Sequence, residues 1–358
     1  MPPIYSKELK TLFIQHSGQF RQTRTSPCEE KCLVGNAIQK VHTLIAEGKT
    51  DEALLWLHAR NPFPGVTGRV CPHPCEDACN RGCRDEAMAI HSLERFAADN
   101  GHARPIRPLP SSGRRIAVIG SGPAGLQAAW TLREHGHAAR FAALLGHSVD
   151  VYESSPVMGG APRQVIPDFR LPKDVVAREL DALRAMDVDI RLNYVGGRTV
   201  TVDGLLKEGY DAVFIGVGAG LPHFLGVPGE NCIGVSSANE YLPRVNLGRA
   251  YSFPDYDTPV APGRHVTVFG AGNVAMDAAR TALRLGAESV HIVYRRTRAE
   301  MPARGEEIEH ALEEGVKLLE LAAPVRFITD EENHLTGVEL QRMELGEPDA
   351  SGRRRPRP

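Results

Sequence analysis

The sequence has no uninterrupted apolar run near the roughly 18 residues that a membrane-spanning helix needs. It has no charge excess of one sign either. Its 42 basic side chains face 44 acidic ones, for a net charge of -2. A protein dedicated to coating nucleic acid carries a broad basic surplus, so that class is disfavoured. The first nine residues, Met1 to Leu9, hold no apolar core of a secretory signal. A soluble, cytoplasmic protein is expected. Redox dithiols of the C-x-x-C kind are absent, which argues against thioredoxin-reductase-like chemistry. Aromatic residues are only 6%, but hydrophobic residues reach 42% and charged ones 24%, enough for real cores and unlike a disordered chain.

What is present is cysteine in one place and glycine in two. At 358 residues, and about 150 per domain, two to three domains are expected. Of the seven cysteines, only Cys232 lies outside the stretch from Cys28 to Cys83. Without a secretory signal, clustered thiols hold a metal or an iron–sulfur cluster more often than disulfides. The spacings are Cys28-x3-Cys32, then Cys71-x3-Cys75-x3-Cys79-x3-Cys83. Pro72 and Pro74 prevent a regular helix through Cys71 and Cys75, leaving a loop that can wrap a centre. Iron–sulfur clusters take four thiolates, zinc favours shorter pairs, and buried free thiols are the third reading. His73 and His91 are further candidate ligands, although capping or core roles are commoner for such histidines.

The fold class expected is α/β: an α-helical iron–sulfur domain followed by two Rossmann-like dinucleotide-binding domains. Residues 1–108 read as helices joined by Pro-rich turns, with Gly48 dividing two of them and His102 to Gly113 as a linker. Residues 114–258 open on the strand Ile116 to Ile119, and residues 259–345 on the strand His265 to Phe269. Residues 346–358 read as a basic, Pro-rich, solvated tail.

Each of these strands runs into a glycine-rich turn followed by a helical stretch. The first turn is Gly120-Ser-Gly122-Pro123-Ala124-Gly125. Its strand–turn–helix context makes it a dinucleotide site, where Gly120 permits the tight turn, Gly122 admits a pyrophosphate and Gly125 allows close helix packing. A following strand, Ser148 to Tyr152, ends in Glu153, a candidate acceptor for ribose hydroxyls. Glu153 lies farther along than the usual ~20 residues, which points to an insertion around Glu134 to Leu145. The second turn is Gly270-Ala-Gly272-Asn273-Val274-Ala275. The strand beyond it, Ser289 to Tyr294, ends in Arg295-Arg296, an arginine fork that favours the 2′-phosphate of NADP(H). A solvated basic turn is the alternative there, and two ligand-free glycine turns are the alternative overall. Two dinucleotide sites suggest a flavin and a nicotinamide.

The run Asn61-Pro-Phe-Pro-Gly-Val-Thr-Gly-Arg-Val-Cys71-Pro-His-Pro-Cys75-Glu-Asp-Ala-Cys79, with Ile90-His-Ser-Leu-Glu94-Arg-Phe96, resembles the cluster domain of the NADPH-dependent glutamate synthase small (beta) subunit family. The same module opens dihydropyrimidine dehydrogenase. The resemblance continues through Gly159-Gly160, Ile166 to Lys173 with Arg170, and Tyr294 to Pro302. It implies FAD, NADP(H) and 4Fe–4S cofactors, and electron transfer from NADPH through FAD to iron–sulfur. A larger catalytic subunit or a ferredoxin-like carrier would be the partner, with no nucleic acid and no membrane span. It places Cys32, Cys71 and Cys75 on one cluster, with Glu94 where a relative uses Gln. Cys28 and Cys79 would serve a second cluster, which needs an upstream C-x2-C that is absent; one cluster is the expectation. The segment that returns to finish the flavin site in that family is missing, so the FAD domain is expected to be incomplete, with an exposed sheet edge at the gap. By the same resemblance Glu300 lies near the nicotinamide, with a surface acid as the alternative. Asp277 and Arg280 read as helix-surface or packing contacts rather than catalysts, and no side-chain nucleophile is required. A cluster-bearing scaffold that binds NADP(H) without a working flavin is the non-enzymatic alternative.

Overall fold

The computed structural model describes residues 25–102, 111–135, 146–260, 263–350 and 352–358. Most of the expected linker, residues 103–110, and of the expected insertion, residues 136–145, lies outside them. The chain divides into two compact units: Met1–Gly159 with Arg170–Gly216, and Gly160–Phe169 with Val217–Pro358. The cysteine helices and the first glycine turn therefore share one unit. Among the described residues, no helix is long and apolar enough to cross a membrane.

Among the described residues, the first unit carries six short α-helices ahead of its sheet: α1 (Pro27–Lys31), α2 (Ile38–Ala46), α3 (Thr50–His58), α4 (Pro64–Val70), α5 (Pro74–Asp77) and α6 (Ile90–Asn100). Prolines sit in the first turn of α1, α4 and α5, where a missing N–H costs nothing. Gly48, with φ of 74°, makes the break between α2 and α3 that their apolar spacing requires. Val41, Leu44, Ala53, Leu57 and Ala97 bury one side of each of α2, α3 and α6 against the others.

Four parallel strands follow: β1 (Ser111–Ile119), β2 (Gly146–Glu153), β3 (Asp189–Leu192) and β4 (Ala212–Ile215), in the order β3-β2-β1-β4. The middle of β1, Ile116 to Ile119, is apolar on both faces, as a central strand of a covered parallel sheet must be, whereas β2 and β3 carry Asp150 and Arg191. Helix α7 (Pro123–His135) lies on the Val118 face and buries Leu126, Ala129 and Trp130. On the other face Ala117, Ile119 and Tyr152 pack with Val200, Leu205 and Tyr210, Leu205 coming from α10 (Val202–Lys207). Between them run α8 (Ala161–Gln164), which belongs to the second unit, and α9 (Lys173–Arg184). Among the described residues β4 has a neighbour on one side only, and Ile215 at its end is 58% exposed.

The second unit carries α11 (Ala238–Asn246), β5 (His265–Phe269), α12 (Asn273–Arg284), β6 (Ser289–Tyr294), α13 (Gly305–Glu313) and β7 (Lys317–Glu320), with parallel order β5-β6-β7. Met276, Ala279, Ala282, Val290, Ile292, Ile308 and Ala311 form its core. Arg280 is buried and donates to Glu307 at 2.8 Å and to Glu314 at 2.7 Å, a packing role as expected. Two antiparallel pairs close the chain: β8 (Ala322–Thr329) with β9 (Leu335–Arg342), and β10 (Glu344–Pro348) with β11 (Arg354–Arg357). The C-terminal residues, expected as a basic solvated tail, pair as a hairpin whose last strand stays largely exposed. They fold back because the Asp349 N–H reaches the Arg353 carbonyl at 2.7 Å and Gly352 takes the left-handed conformation with φ of 78°.

Candidate functional site

The first glycine turn is held from below by Glu153. Gly120 has φ of 102°, and its N–H donates to the Tyr152 carbonyl at 2.7 Å. Ser121 donates its N–H to Glu153 Oε2 at 2.8 Å and its hydroxyl to the same oxygen at 2.5 Å. Oε1 accepts from Ser155 N at 2.7 Å. Glu153 is buried, and these bonds give it a loop-holding task that its position at the end of β2 did not announce. The Ser154 hydroxyl donates to Oε1 as well, at 3.2 Å, so the acceptor sites of the carboxylate, about four, are all taken within the loop. The Gly159 N–H returns to the Ser121 hydroxyl and carbonyl, each at 3.1 Å, which draws this glycine to the turn. Gly160 has φ of 56° and precedes α8. Arg170 is half-buried. Pro123 and Ala124 begin α7 and are exposed.

Gly122 and Gly125 differ in kind. A Cβ on Gly125 would fall 1.9 Å from the Gly120 carbonyl oxygen, so the chain itself demands glycine there. A Cβ on Gly122 would meet nothing within 4 Å. Open space beside free helix N–H groups is what a dinucleotide diphosphate requires, and the residues fit FAD at this half of its site.

The second turn repeats the pattern. Gly270 has φ of 117°, and a Cβ on Gly272 would meet nothing within 4 Å. Asn273 Oδ1 accepts from Arg304 N at 3.0 Å, and Val274 is 41% exposed at the start of α12. The arginine fork is divided. Arg296 is buried, donating to the Arg354 carbonyl at 2.6 Å and to Asp349 at 3.0 Å. Arg295 is exposed and has no ion pair among the described residues. Glu300 caps its own turn, accepting from Thr297 N at 3.1 Å and Thr297 Oγ1 at 2.6 Å, and the hydroxyl bond holds its carboxyl below the usual range.

The cysteines lie at helix ends. Cys32 follows α1, Cys71 follows α4, and Cys75 sits in α5. Cys28, Cys32, Cys75 and Met88 pack with Ile38 and Ile90 in one apolar nest. Backbone N–H groups point at three sulfurs: Asn36 at Cys32 (3.3 Å), His73 at Cys71 (3.5 Å) and Met88 at Cys79 (3.4 Å). Burial first, then neighbouring Cys32, Glu76 and Cys71, push the Cys75 thiol up to about 12. Such mutual repulsion is relieved when positive iron takes the thiolates. Among the described residues, no three Cys, His, Asp or Glu side chains close on a single metal-ion position. The ligands of a cubane stand farther apart, and apolar packing with N–H donors to sulfur fits that group. Cys83 is exposed, and Cys232 lies in the second unit.

Glu94 faces other partners. Its carboxylate accepts from Thr67 Oγ1, from Asn61 Nδ2 at 3.0 Å and from Asn36 Nδ2 at 3.1 Å, and burial pushes it up to about 7. Asn36 links it to the Cys32 sulfur, a neighbour that sequence spacing did not single out. His73 and His91 stack face to face with centroids 3.9 Å apart, and His91 Nδ1 meets Glu76 at 2.7 Å. Cys75→Ala is expected to reduce iron from about four atoms per chain to none after oxygen-free preparation. Cys83→Ala keeps the iron, and a colorimetric iron assay separates the two.

The family model for pyridine nucleotide-disulphide oxidoreductases matches residues 114–349, and that for dihydropyrimidine dehydrogenase domain II, 4Fe-4S cluster, matches residues 11–106. The beta subunit of NADP(+)-dependent formate dehydrogenase from Moorella thermoacetica is 40% identical over 93% of this chain and 48% of its own length. The beta subunit of NADPH-Fe(3+) oxidoreductase from Geobacter sulfurreducens is 38% identical over 95% of this chain and 49% of its own. The chain spans about half the length of these two relatives. It is also 36% identical to the small chain of NADPH glutamate synthase from Escherichia coli, over 92% of this chain and 69% of that one. FprA from Mycobacterium tuberculosis, solved with NADPH, shares the fold with a TM-score of 0.56 and 23% identity, over 68% of this chain and 66% of that one. An α/β oxidoreductase fold, two glycine turns and a nest of thiols therefore come together in a chain that belongs to the pyridine nucleotide-disulphide oxidoreductases of the glutamate synthase small-subunit group, whose cofactors are FAD, NADP(H) and a 4Fe–4S cluster.

Proposed function

We propose that the chain takes electrons from NADPH, passes them through FAD to a 4Fe–4S cluster, and hands them to a partner. The partner is a larger catalytic subunit or a ferredoxin-like carrier, and the location is the cytoplasm, where thiols stay reduced. The observation that carries this reading is that the cysteine helices and the first glycine turn belong to one unit. His58 of α3 lies 5.6 Å, ring to ring, from Trp130 of α7, the helix that opens at that turn. When bound, the flavin converts two-electron into one-electron transfer and the cluster takes electrons singly.

The chain's own residues bind and orient. Gly122 and Gly272 keep space open for diphosphates, and helix N–H groups at α7 and α12 face them. Arg295 selects the phosphorylated coenzyme by pairing with its 2′-phosphate. N–H groups of Asn36, His73 and Met88 set the electrostatics of the sulfurs. The names of the two beta-subunit relatives support a partner chain.

Anaerobic NADPH titration of the reconstituted protein, with flavin and iron quantified beforehand, tests the reading. Flavin bands should bleach and the broad iron–sulfur absorbance should fall. Iron absorbance indifferent to NADPH would instead mark a scaffold.

A further inference from the structure

The carboxyl of Glu179 is absent from every role described above. α9 turns Val175, Val176, Leu180 and Leu183 to the interior, and Glu179 stands among them at the same helical spacing, 8% exposed. A carboxyl on an apolar stripe is costly unless it is bonded. Its oxygens accept from Gly65 N at 2.5 Å, an otherwise free N–H in the first turn of α4, and from Val66 N at 3.3 Å, which Glu179 shares with the Phe63 carbonyl at 3.1 Å. Gly65 makes the approach possible: a Cβ there would fall 2.7 Å from Glu179 Oε1 and 2.9 Å from Val175 Cγ1. One turn on, a Cβ on Gly68 would fall 2.8 Å from the backbone N of Arg95 in α6. α4 is wedged between α9 and α6 at its two glycines, and it runs directly into Cys71.

The charged groups facing Glu179 among the described residues are Arg178 of α9 and Arg69 of α4. Arg69 donates to the Gly65 carbonyl at 3.0 Å and to Asp99 of α6 at 2.8 Å, and Arg178 reaches Asp99 at 3.5 Å. Both cations are thus shared with another carboxylate. Burial pushes the carboxyl of Glu179 up to about 8, against the pull of the Gly65 and Val66 N–H groups.

We infer that Glu179 is a positioning residue that ties the helix leading to Cys71 onto α9, and that it exchanges a proton with solvent as the cysteine end of that helix gains or loses an electron. The inference rests on the cluster reading above. One electron arriving at the cluster is matched by one proton arriving from water, which converts the Glu179 carboxylate to the neutral acid. Reoxidation releases both. At 1.5 Å per residue the seven-residue α4 separates the two charges by about 10 Å, close enough for them to sense one another through the protein.

The test is a dithionite titration of the anaerobically reconstituted protein from pH 6 to 10, followed by visible and electron paramagnetic resonance spectra. The cluster midpoint of the wild type should fall with pH above about 8, by about 59 mV for each tenfold change in proton activity within the coupled window. Glu179→Gln should flatten that fall, and Glu179→Asp should keep a fall in a displaced window. The cluster-free protein supplies a second readout. Because the folded carboxyl lies above its ordinary 4.5, its contribution to stability is complete below that value and is lost as pH rises through about 8. The melting temperature of Glu179→Gln should therefore gain on the wild type between pH 5 and 9.

A Glu179→Gln protein with the wild-type slope overturns the inference. Should that variant fail to fold, an unmoved window in Glu179→Asp overturns it equally. Dithionite bypasses NADPH and flavin, so iron that dithionite reduces and NADPH does not sinks the electron route while leaving Glu179 intact. A chain that retains no iron sinks both.

Discussion

Arg295→Glu is expected to lower the preference for NADPH over NADH by about 100-fold, about 2.7 kcal/mol. Arg295 stands after β6, exposed and with no ion pair among the described residues. Its guanidinium is the cation at that strand end with donors to offer a 2′-phosphate. The glutamate replacement removes a charge-assisted bond and adds repulsion. Arg296→Ala should behave differently. Its side chain is 8% exposed and ties Asp349 and the Arg354 carbonyl, so its loss loosens the β10–β11 hairpin. That should cost about 1–3 kcal/mol of stability and several degrees of melting temperature, with a smaller change in coenzyme preference. Steady-state kinetics with both coenzymes and thermal melts separate the two arginines. Equal loss of preference in both variants would restore the fork and remove the division of labour.

That division explains what the sequence made legible and what it did not. The β5 and β6 boundaries follow directly from apolar runs between turn residues, and the glycine turns follow from glycines at fixed offsets after a strand. Gly48 and the apolar stripes of α2 and α3 are local in the same way. Every such signal lies within a few residues of what it predicts. The features that spacing leaves unannounced depend on partners far along the chain. Arg296 meets Asp349 53 positions away, and Glu179 meets Gly65 114 positions away. Nothing in a basic dipeptide says which of its two members is buried. The tail's folding back was hidden for a related reason, since prolines and arginines look solvated until a turn at Gly352 gives them a strand to pair with. Glu179 leaves a trace in the sequence, a carboxyl on the apolar stripe of α9, but the stripe does not say which N–H groups meet it.

The glycine pair of the first turn offers the sharpest test of whether the turn serves a ligand or only the fold. Gly125→Ala places a methyl 1.9 Å from the Gly120 oxygen, so the turn must move. Overpacking of that kind costs about 1–3 kcal/mol, and both melting temperature and flavin retention should fall. Gly122→Ala asks the chain for nothing: its φ lies outside the left-handed region and its Cβ would have no neighbour within 4 Å. Removing backbone freedom from the unfolded state should leave stability unchanged or raise it by up to about 1 kcal/mol. Flavin affinity should nevertheless fall by about 100-fold or more, because the methyl occupies the path of the diphosphate toward the α7 N–H groups. The second turn supplies its own control. There Gly272 is as open as Gly122, with φ of -84°, whereas the third glycine is already replaced by Ala275, which is buried without strain. Gly272→Ala should accordingly weaken NADPH and spare both flavin and fold. A Gly122→Ala protein that melts like the wild type and holds flavin as tightly would leave glycine at that position without a physical reason.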